Sequence, residues 1–373
     1  MTRIHIITFL IISILFTSTP LYSQETVTTI TLKNGTVYTG ELKRKRPHGS
    51  GKAVYRNGDV YEGQFLKGRR NGKGVYRFKD GEWYEGEFKD DRQDGKGVFH
   101  FADGSVYDGM WSKDCRHGYG KLEYSNGDMY VGTWLEDRRS GNGSYFFKDG
   151  ASYTGEWKND KYMGNGTFIW QDNSKYIGSW NNGMRCGEGV YTTVAGDRYY
   201  GMWLNNMCEG EGTYVSASGF SYEGTFKGGK WNGKGKYTAE DGTSYEGNFV
   251  DGKREGYGIL YLSNGDVYDG YWRDNVRSGK GKYIWANGDV YEGDWKNDSM
   301  NGSGVLLLNN GIKYSGGFID GHEHGAGVAI DSDGIRYEGT FVEGQRNGKF
   351  LIKDTEGNVV RECVYNLGTI QNH

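Results

Sequence analysis

A tyrosine returns at one fixed interval along this chain. It stands at Tyr38, Tyr61, Tyr84, Tyr107, Tyr130, Tyr153, Tyr176, Tyr199, Tyr222, Tyr245, Tyr268, Tyr291, Tyr314 and Tyr337, with no slip in register. A glycine follows each tyrosine at plus two, from Gly40 to Gly339, and an aromatic follows that glycine at plus two in every copy but the first, which has Leu42. Self-similarity at a fixed period of this size marks a repeat architecture. A unit this short is far too small to fold alone, so each copy is stabilised by its neighbours in a quasi-one-dimensional array. The 373 residues are therefore one array and not the two or so globular domains that length alone suggests.

Each copy reads as a β-hairpin. In Glu82-Trp83-Tyr84-Glu85-Gly86-Glu87-Phe88 the tyrosine, glycine and phenylalanine share one face at period two. In the partner strand, Gly97, Phe99 and Phe101 do the same. Between copies lie Lys79-Asp80-Gly81, Ser125-Asn126-Gly127 and Ser263-Asn264-Gly265, and Asn-Gly and Asp-Gly accept the positive φ of tight hairpin turns. One interior copy has Asn173 in place of its turn glycine, a residue that tolerates left-handed geometry. The mid-strand glycine, lacking Cβ, lets an aromatic ring lie across the backbone. Rings on one face then make ladders of cross-strand contacts.

The pattern Y-x-G-x-[W/F], a loop, then G-x-G resembles the MORN repeat over residues 35 to about 357. The fold expected is all-β: a single elongated antiparallel β-meander of tandem hairpins, 14 repeats of about 23 residues each, twisted into a trough with its aromatic face inward. At two strand spacings per hairpin it would extend roughly 130 Å before twisting. Residues 24–34 are expected to form an N-terminal capping strand. Residues 358–373 are expected to form a C-terminal capping strand and tail. There Phe350 replaces the second glycine, and Val360, Glu362 and Val364 take the places of tyrosine, glycine and aromatic.

Residues 1–23 stand apart. Arg3 precedes an apolar run from Ile4 to Phe16, too short to span a bilayer. This fits a secretory signal peptide cleaved after Ser23, with an uncleaved anchor as the alternative. Either way the array is expected outside the cytoplasm: periplasmic, associated with the cell envelope, or secreted. The Asn-x-Ser/Thr triplets at Asn34, Asn142, Asn165, Asn297 and Asn301 mostly follow from the repeat and matter only in a glycosylating host.

Such a compartment permits disulfides between Cys115, Cys186, Cys208 and Cys363. Cys186 and Cys208 are expected in equivalent loops of adjacent copies, two strand spacings or roughly 9.5 Å apart. Bridged cysteines have Cα atoms about 4.4–6.8 Å apart, so a bridge would need the loops to lean together.

Catalytic templates fail in turn. There is no P-loop, no dinucleotide-binding glycine triplet and no nucleophile elbow. His322-Glu323-His324 has no third ligand in sight and reads as a solvated turn. The acidic residues Glu62, Glu85, Asp108, Glu223 and Glu246 beside the motif tyrosines point away from the aromatic face. MORN repeats precede the catalytic domain of plant phosphatidylinositol-phosphate 5-kinases, but no such domain follows here. No enzyme activity and no cofactor or metal is expected. Forty-five basic residues against 48 acidic ones give a net charge of −3, which offers nucleic acid no attraction.

The resemblance implies a non-catalytic scaffold for protein–protein interaction or assembly, with a second copy of the chain among its candidate partners. Five consecutive strand-end tryptophans, Trp111, Trp134, Trp157, Trp180 and Trp203, are either core packing or the lining of a groove for a peptide, helix or glycan. The alternative function, also implied by the resemblance, is attachment to acidic phospholipid surfaces. For that role Arg69, Arg92, Arg116, Arg138, Lys161 and Arg185, at nearly one offset after the aromatic, would form a basic stripe.

Overall fold

The computed structural model describes residues 27–371. The proposed leader falls outside them. The described residues form 31 strands and no helix, in an open antiparallel sheet of consecutive hairpins that does not close into a barrel. The chain divides into two units, one ending at Arg116 and one beginning at His117.

In the first unit, Val60–Leu66 pairs with Arg69–Arg77 through Tyr61↔Tyr76 and Gly63↔Gly74. Arg69–Arg77 then pairs with Trp83–Lys89 through Gly74↔Gly86 and Tyr76↔Tyr84. In the second unit, Val267–Arg273 pairs with Val276–Ile284 in the same register, Tyr268↔Tyr283 and Gly270↔Gly281. Tyrosine thus faces its counterpart, and the glycines line up strand after strand.

That alignment makes room for the core. A Cβ on Gly281 would lie 2.4 Å from the Tyr268 hydroxyl oxygen, so the ring can cross the backbone only because both paired residues are glycine. Tyr268 is fully buried. It meets Trp272 edge-on at 5.1 Å and Trp295 of the next copy at 5.3 Å, the arrangement that aromatic quadrupoles favour. Its hydroxyl donates to the Tyr271 carbonyl at 3.0 Å, which satisfies the one polar atom taken inside. Burial accordingly raises these hydroxyls, to about 12 for Tyr176 and Tyr245. Tyr61 and Tyr84 repeat the pattern in the first unit.

Two kinds of turn alternate. Between copies, the Gly58 N–H donates to the Tyr55 carbonyl at 3.0 Å and the Tyr55 N–H to the Asp59 carbonyl at 2.9 Å, a loop longer than the two-residue turn that Asn-Gly favours. Within a copy the turn does have two residues, both at positive φ, as at Asn159 (49°) and Asp160 (65°). The register slips between Gly63 and Phe65 and again at the matching place in other copies. Gly72, at φ +94°, supplies the bulge.

At the front, Thr28–Thr31 pairs with Val37–Lys43. At the back, the expected assignment is off by one residue. Phe350 pairs with Cys363 and Gly348 with Tyr365, and it is Cys363 and Tyr365 that are buried, while Val360 stays exposed. The cause is a slip between Ile352 and Lys353, which turns the later residues over, since faces alternate at period two. Phe350 itself is fully buried, with its ring where a Cβ on Gly339 would meet it at 2.5 Å. Tyr337, displaced from that place, instead carries the Arg346 guanidinium 3.7 Å from its ring centre.

Candidate functional site

The strand-end tryptophans are not a groove lining. Trp111 in the first unit, and Trp134, Trp157, Trp180 and Trp203 in the second, are 2–7% exposed. Each indole N–H donates to a backbone carbonyl, of Gly97, Gly120, Gly143, Gly166 and Gly189 respectively, at 3.1–3.3 Å. The groove reading is therefore corrected. Each ring covers motif tyrosines, as Trp157 does for Tyr130 and Tyr153.

Nor do the six cations form a row in either unit. Arg69 and Arg92 open their strands and are exposed, with Arg69 ion-paired to Asp90 at 3.2 Å, whereas Arg116 is the second residue of Cys115–Glu123. Its guanidinium lies over the Tyr107 ring at 5.9 Å. In the second unit Arg138 and Lys161 open their strands, but Arg185 is second in Met184–Thr192. It is directed onto Trp203 at 4.3 Å. An offset one residue longer puts a side chain on the other side of a strand.

This second strand position holds an arrangement that the sequence reading misses. Arg139 stacks 4.5 Å from the Trp157 ring centre, while its N–H and Nε both donate to Asp160 Oδ1 at 3.0 Å. Arg277 repeats this with Trp295 at 4.5 Å and Asp298 at 2.8 and 3.1 Å. In the first unit, the Arg70 N–H donates to Asp91 at 2.8 Å and its guanidinium lies over Tyr76 at 4.7 Å. Each is a clasp from one copy to the turn of the next. Its sequence signal is an Asp or Asn 21 residues after the arginine, visible at Asp91, Asp160, Asn206, Asn275 and Asp298.

Cys186 and Cys208 differ by the same kind of offset. Cys186 is third in its strand and pairs with Ser179, whereas Cys208 is second and pairs with Trp203, so their positions are not equivalent. Cys186, Cys208 and Cys363 are free thiols, and burial raises the Cys208 thiol to about 11. His322-Glu323-His324 lies on the strand His322–Ile330 and not in a loop. Glu323 takes the clasp position, where burial raises its carboxyl to about 6 against the pull of Arg346. Among the described residues no group of three or more His, Cys, Asp or Glu could hold a metal ion.

The face away from the tyrosines carries Glu62, Glu85, Asp108, Glu223 and Glu246, all exposed as expected. In the second unit this face holds an open groove of about 860 Å³. Its floor is the glycine line Gly270, Gly281, Gly293, Gly304 and Gly316, and Tyr257, Tyr271, Asp269 and Lys282 stand beside it. Tyr257 and Tyr271 are 47% and 51% exposed, and the Tyr257 hydroxyl donates to Asp269. The sequence reading does not single these residues out, because they occupy outward positions that vary from copy to copy.

The fold and its repeating register define an all-β tandem-hairpin protein. The family model of the MORN repeat matches fourteen times in succession, from residues 38–60 to 337–349, and the chain belongs to the MORN repeat family. No curated protein matches it. Among solved structures it is similar to the TCP domain of SAS-4 from Drosophila melanogaster in complex with a proline-rich motif of Ana2. That match has 15% identity and a TM-score of 0.26, and covers 40% of this chain and 82% of that one. The TCP10 domain of Danio rerio CPAP with a STIL peptide is 11% identical at a TM-score of 0.19, covering 73% and 96%. Virginiamycin B lyase from Staphylococcus aureus with quinupristin is 14% identical at 0.13, covering 86% and 94%. At these TM-scores nothing follows for the function of this chain.

Proposed function

We propose that this MORN repeat protein is a non-catalytic scaffold, working outside the cytoplasm, that holds an extended stretch of a partner protein across the outward face of its sheet. The observation that carries this reading is the groove along the glycine line over residues 257–326. Beside the glycine line the outward positions hold the small residues Ser303, Ser315, Gly317 and Ala326, which lets a second main chain approach closely. The exposed Tyr257 and Tyr271 beside it offer large, rigid contact area of the kind enriched at interfaces. The sheet ends offer less for strand addition, since the terminal strands have four and three residues.

A photo-crosslinking residue at Lys282 of the full chain in its native cells tests the reading. The expected outcome is an adduct with one defined protein, lost in the double variant Tyr257→Ser/Tyr271→Ser and kept in Tyr119→Ser. An adduct at twice the chain mass would make a second copy the partner. Labelling that ignores the two tyrosines would overturn the reading. Salt-sensitive flotation with acidic vesicles and no protein adduct would favour a lipid surface instead.

A further inference from the structure

A second opening lies on the aromatic side of the second unit, where two consecutive copies lack a side chain that other copies use to bridge their turns. In several other copies an aspartate just before the strand makes the bridge. Asp128 accepts hydrogen bonds from the Lys148 N–H at 2.8 Å and the Tyr145 hydroxyl at 2.7 Å. Asp266 accepts from Tyr283 at 2.7 Å and the Ala286 N–H at 2.8 Å. At the equivalent positions stand Ala151 and Ser174, and Phe168, without a hydroxyl, stands where Tyr145 does. A cavity of about 470 Å³, open to solvent, occupies the place.

Its walls are Phe147, Phe168, Trp170 and Tyr191, with successive ring centres 5.9, 4.7 and 5.5 Å apart. Asp149 and Asp172 form its rim. Asp149 Oδ1 accepts the Ala151 N–H, and Asp172 Oδ1 accepts the Ser174 N–H and hydroxyl. Neither second oxygen has a partner among the described residues. The Ser174 hydroxyl and N–H hold the Asp172 carboxyl below its ordinary range, so it stays charged.

The protein itself shows what such walls accept. The Arg185 guanidinium lies 5.8 Å from the Trp170 ring centre and 5.6 Å from Tyr191. Arg139 lies between Tyr145 and Trp157, at 5.2 and 4.5 Å, with an aspartate closing the pair. We infer that the cavity receives the guanidinium of an arginine side chain from a partner polypeptide, stacked on Trp170 and hydrogen-bonded to Asp149 and Asp172. A planar cation with donors in its plane and open faces fits rings flanked by two carboxylates, which a neutral side chain does not. The site shares no residue with the groove over 257–326 and does not depend on it.

The test uses the full chain labelled with 5-fluorotryptophan, the Trp170 signal being assigned with Trp170→Phe. A capped pentapeptide whose single charge is a central arginine is titrated against its citrulline twin. The expected result is a saturable shift of the Trp170 signal, at least tenfold weaker with citrulline and weakened about tenfold in Asp149→Asn/Asp172→Asn. Asparagine already serves this turn position at Asn57, Asn126 and Asn264, so the double variant keeps its turns. Absence of saturation, equal binding of citrulline, or undiminished binding by the double variant would each overturn the assignment. Equal binding of both peptides would mark the pocket as a plain apolar contact.

Discussion

The two faces of the second unit obey different rules. The tyrosine face is nearly the same in every copy: ring over glycine pair, then the next aromatic edge-on, as at Tyr268, Gly281 and Trp272. On the other face the matching outward positions hold Tyr257, Lys280, Ser303 and Ala326, which have nothing in common except exposure. Packing fixes the first face because a ring and a backbone leave each other no tolerance. The second face is free to be specific, and it is there that one copy can differ from another in what it binds.

The contrast is sharpest at neighbouring residues. Trp272→Ala should cost about 3–5 kcal/mol as a large-to-small change in the core, whereas Tyr271→Ala, one residue away and outward, should fall within about 0.5 kcal/mol. Urea midpoints of the two variants make the comparison, and similar losses would erase the distinction between faces. Next in size is Gly281→Val, expected to destabilise by about 1–3 kcal/mol as its side chain drives into Tyr268. Lys282→Val beside it should be nearly silent in the same measurement.

The clasp gives a smaller effect. Arg277→Ala should lower stability by about 1 kcal/mol through loss of the ring contact and the charged hydrogen bond. Asp298→Asn should be tolerated, since Asn206 and Asn275 already accept the same N–H in other copies. Of like size is the effect at Glu323, whose folded pKa of about 6 lies above its ordinary 4.5. A raised carboxyl makes the folded state most stable while protonated, so stability should fall as pH rises from about 4.5 to 6, by about 1 kcal/mol after allowing for solvent screening. Denaturation at pH 4.5 and 7 should show this drop in the parent and not in Glu323→Gln.

Much of the fold is legible in the sequence because the constraint recurs. Period two, Tyr-x-Gly-x-aromatic and Asn-Gly at fixed spacing fix hairpins, register and the buried face. What is not legible turns on single-residue offsets. Arg69 and Arg70 look interchangeable in a basic cluster, yet one ion-pairs in water and the other lies on Tyr76. Cys186 and Cys208 look equivalent but differ by one place in their strands. The tail is misaligned by sequence because a slip at Ile352 leaves no mark in composition. The tryptophan run cannot be placed from sequence, since a ring that packs and a ring that binds are the same residue. The groove and the cavity escape notice because both arise where copies depart from the pattern, and a search for recurrence passes over such places.

The offset of 21 residues between clasp arginine and receiving aspartate has a consequence for how such a chain can change length. Every partner that a copy needs is found in itself or in its immediate neighbour, at a distance counted along the chain and not in space. Excision or duplication of a whole module therefore leaves each junction chemically complete. Loss of a single residue would instead turn over the rest of its own strand until a bulge or turn absorbed it. Such a molecule can be lengthened or shortened in whole modules, with its inner layer as the ruler and its outer layer as the variable text.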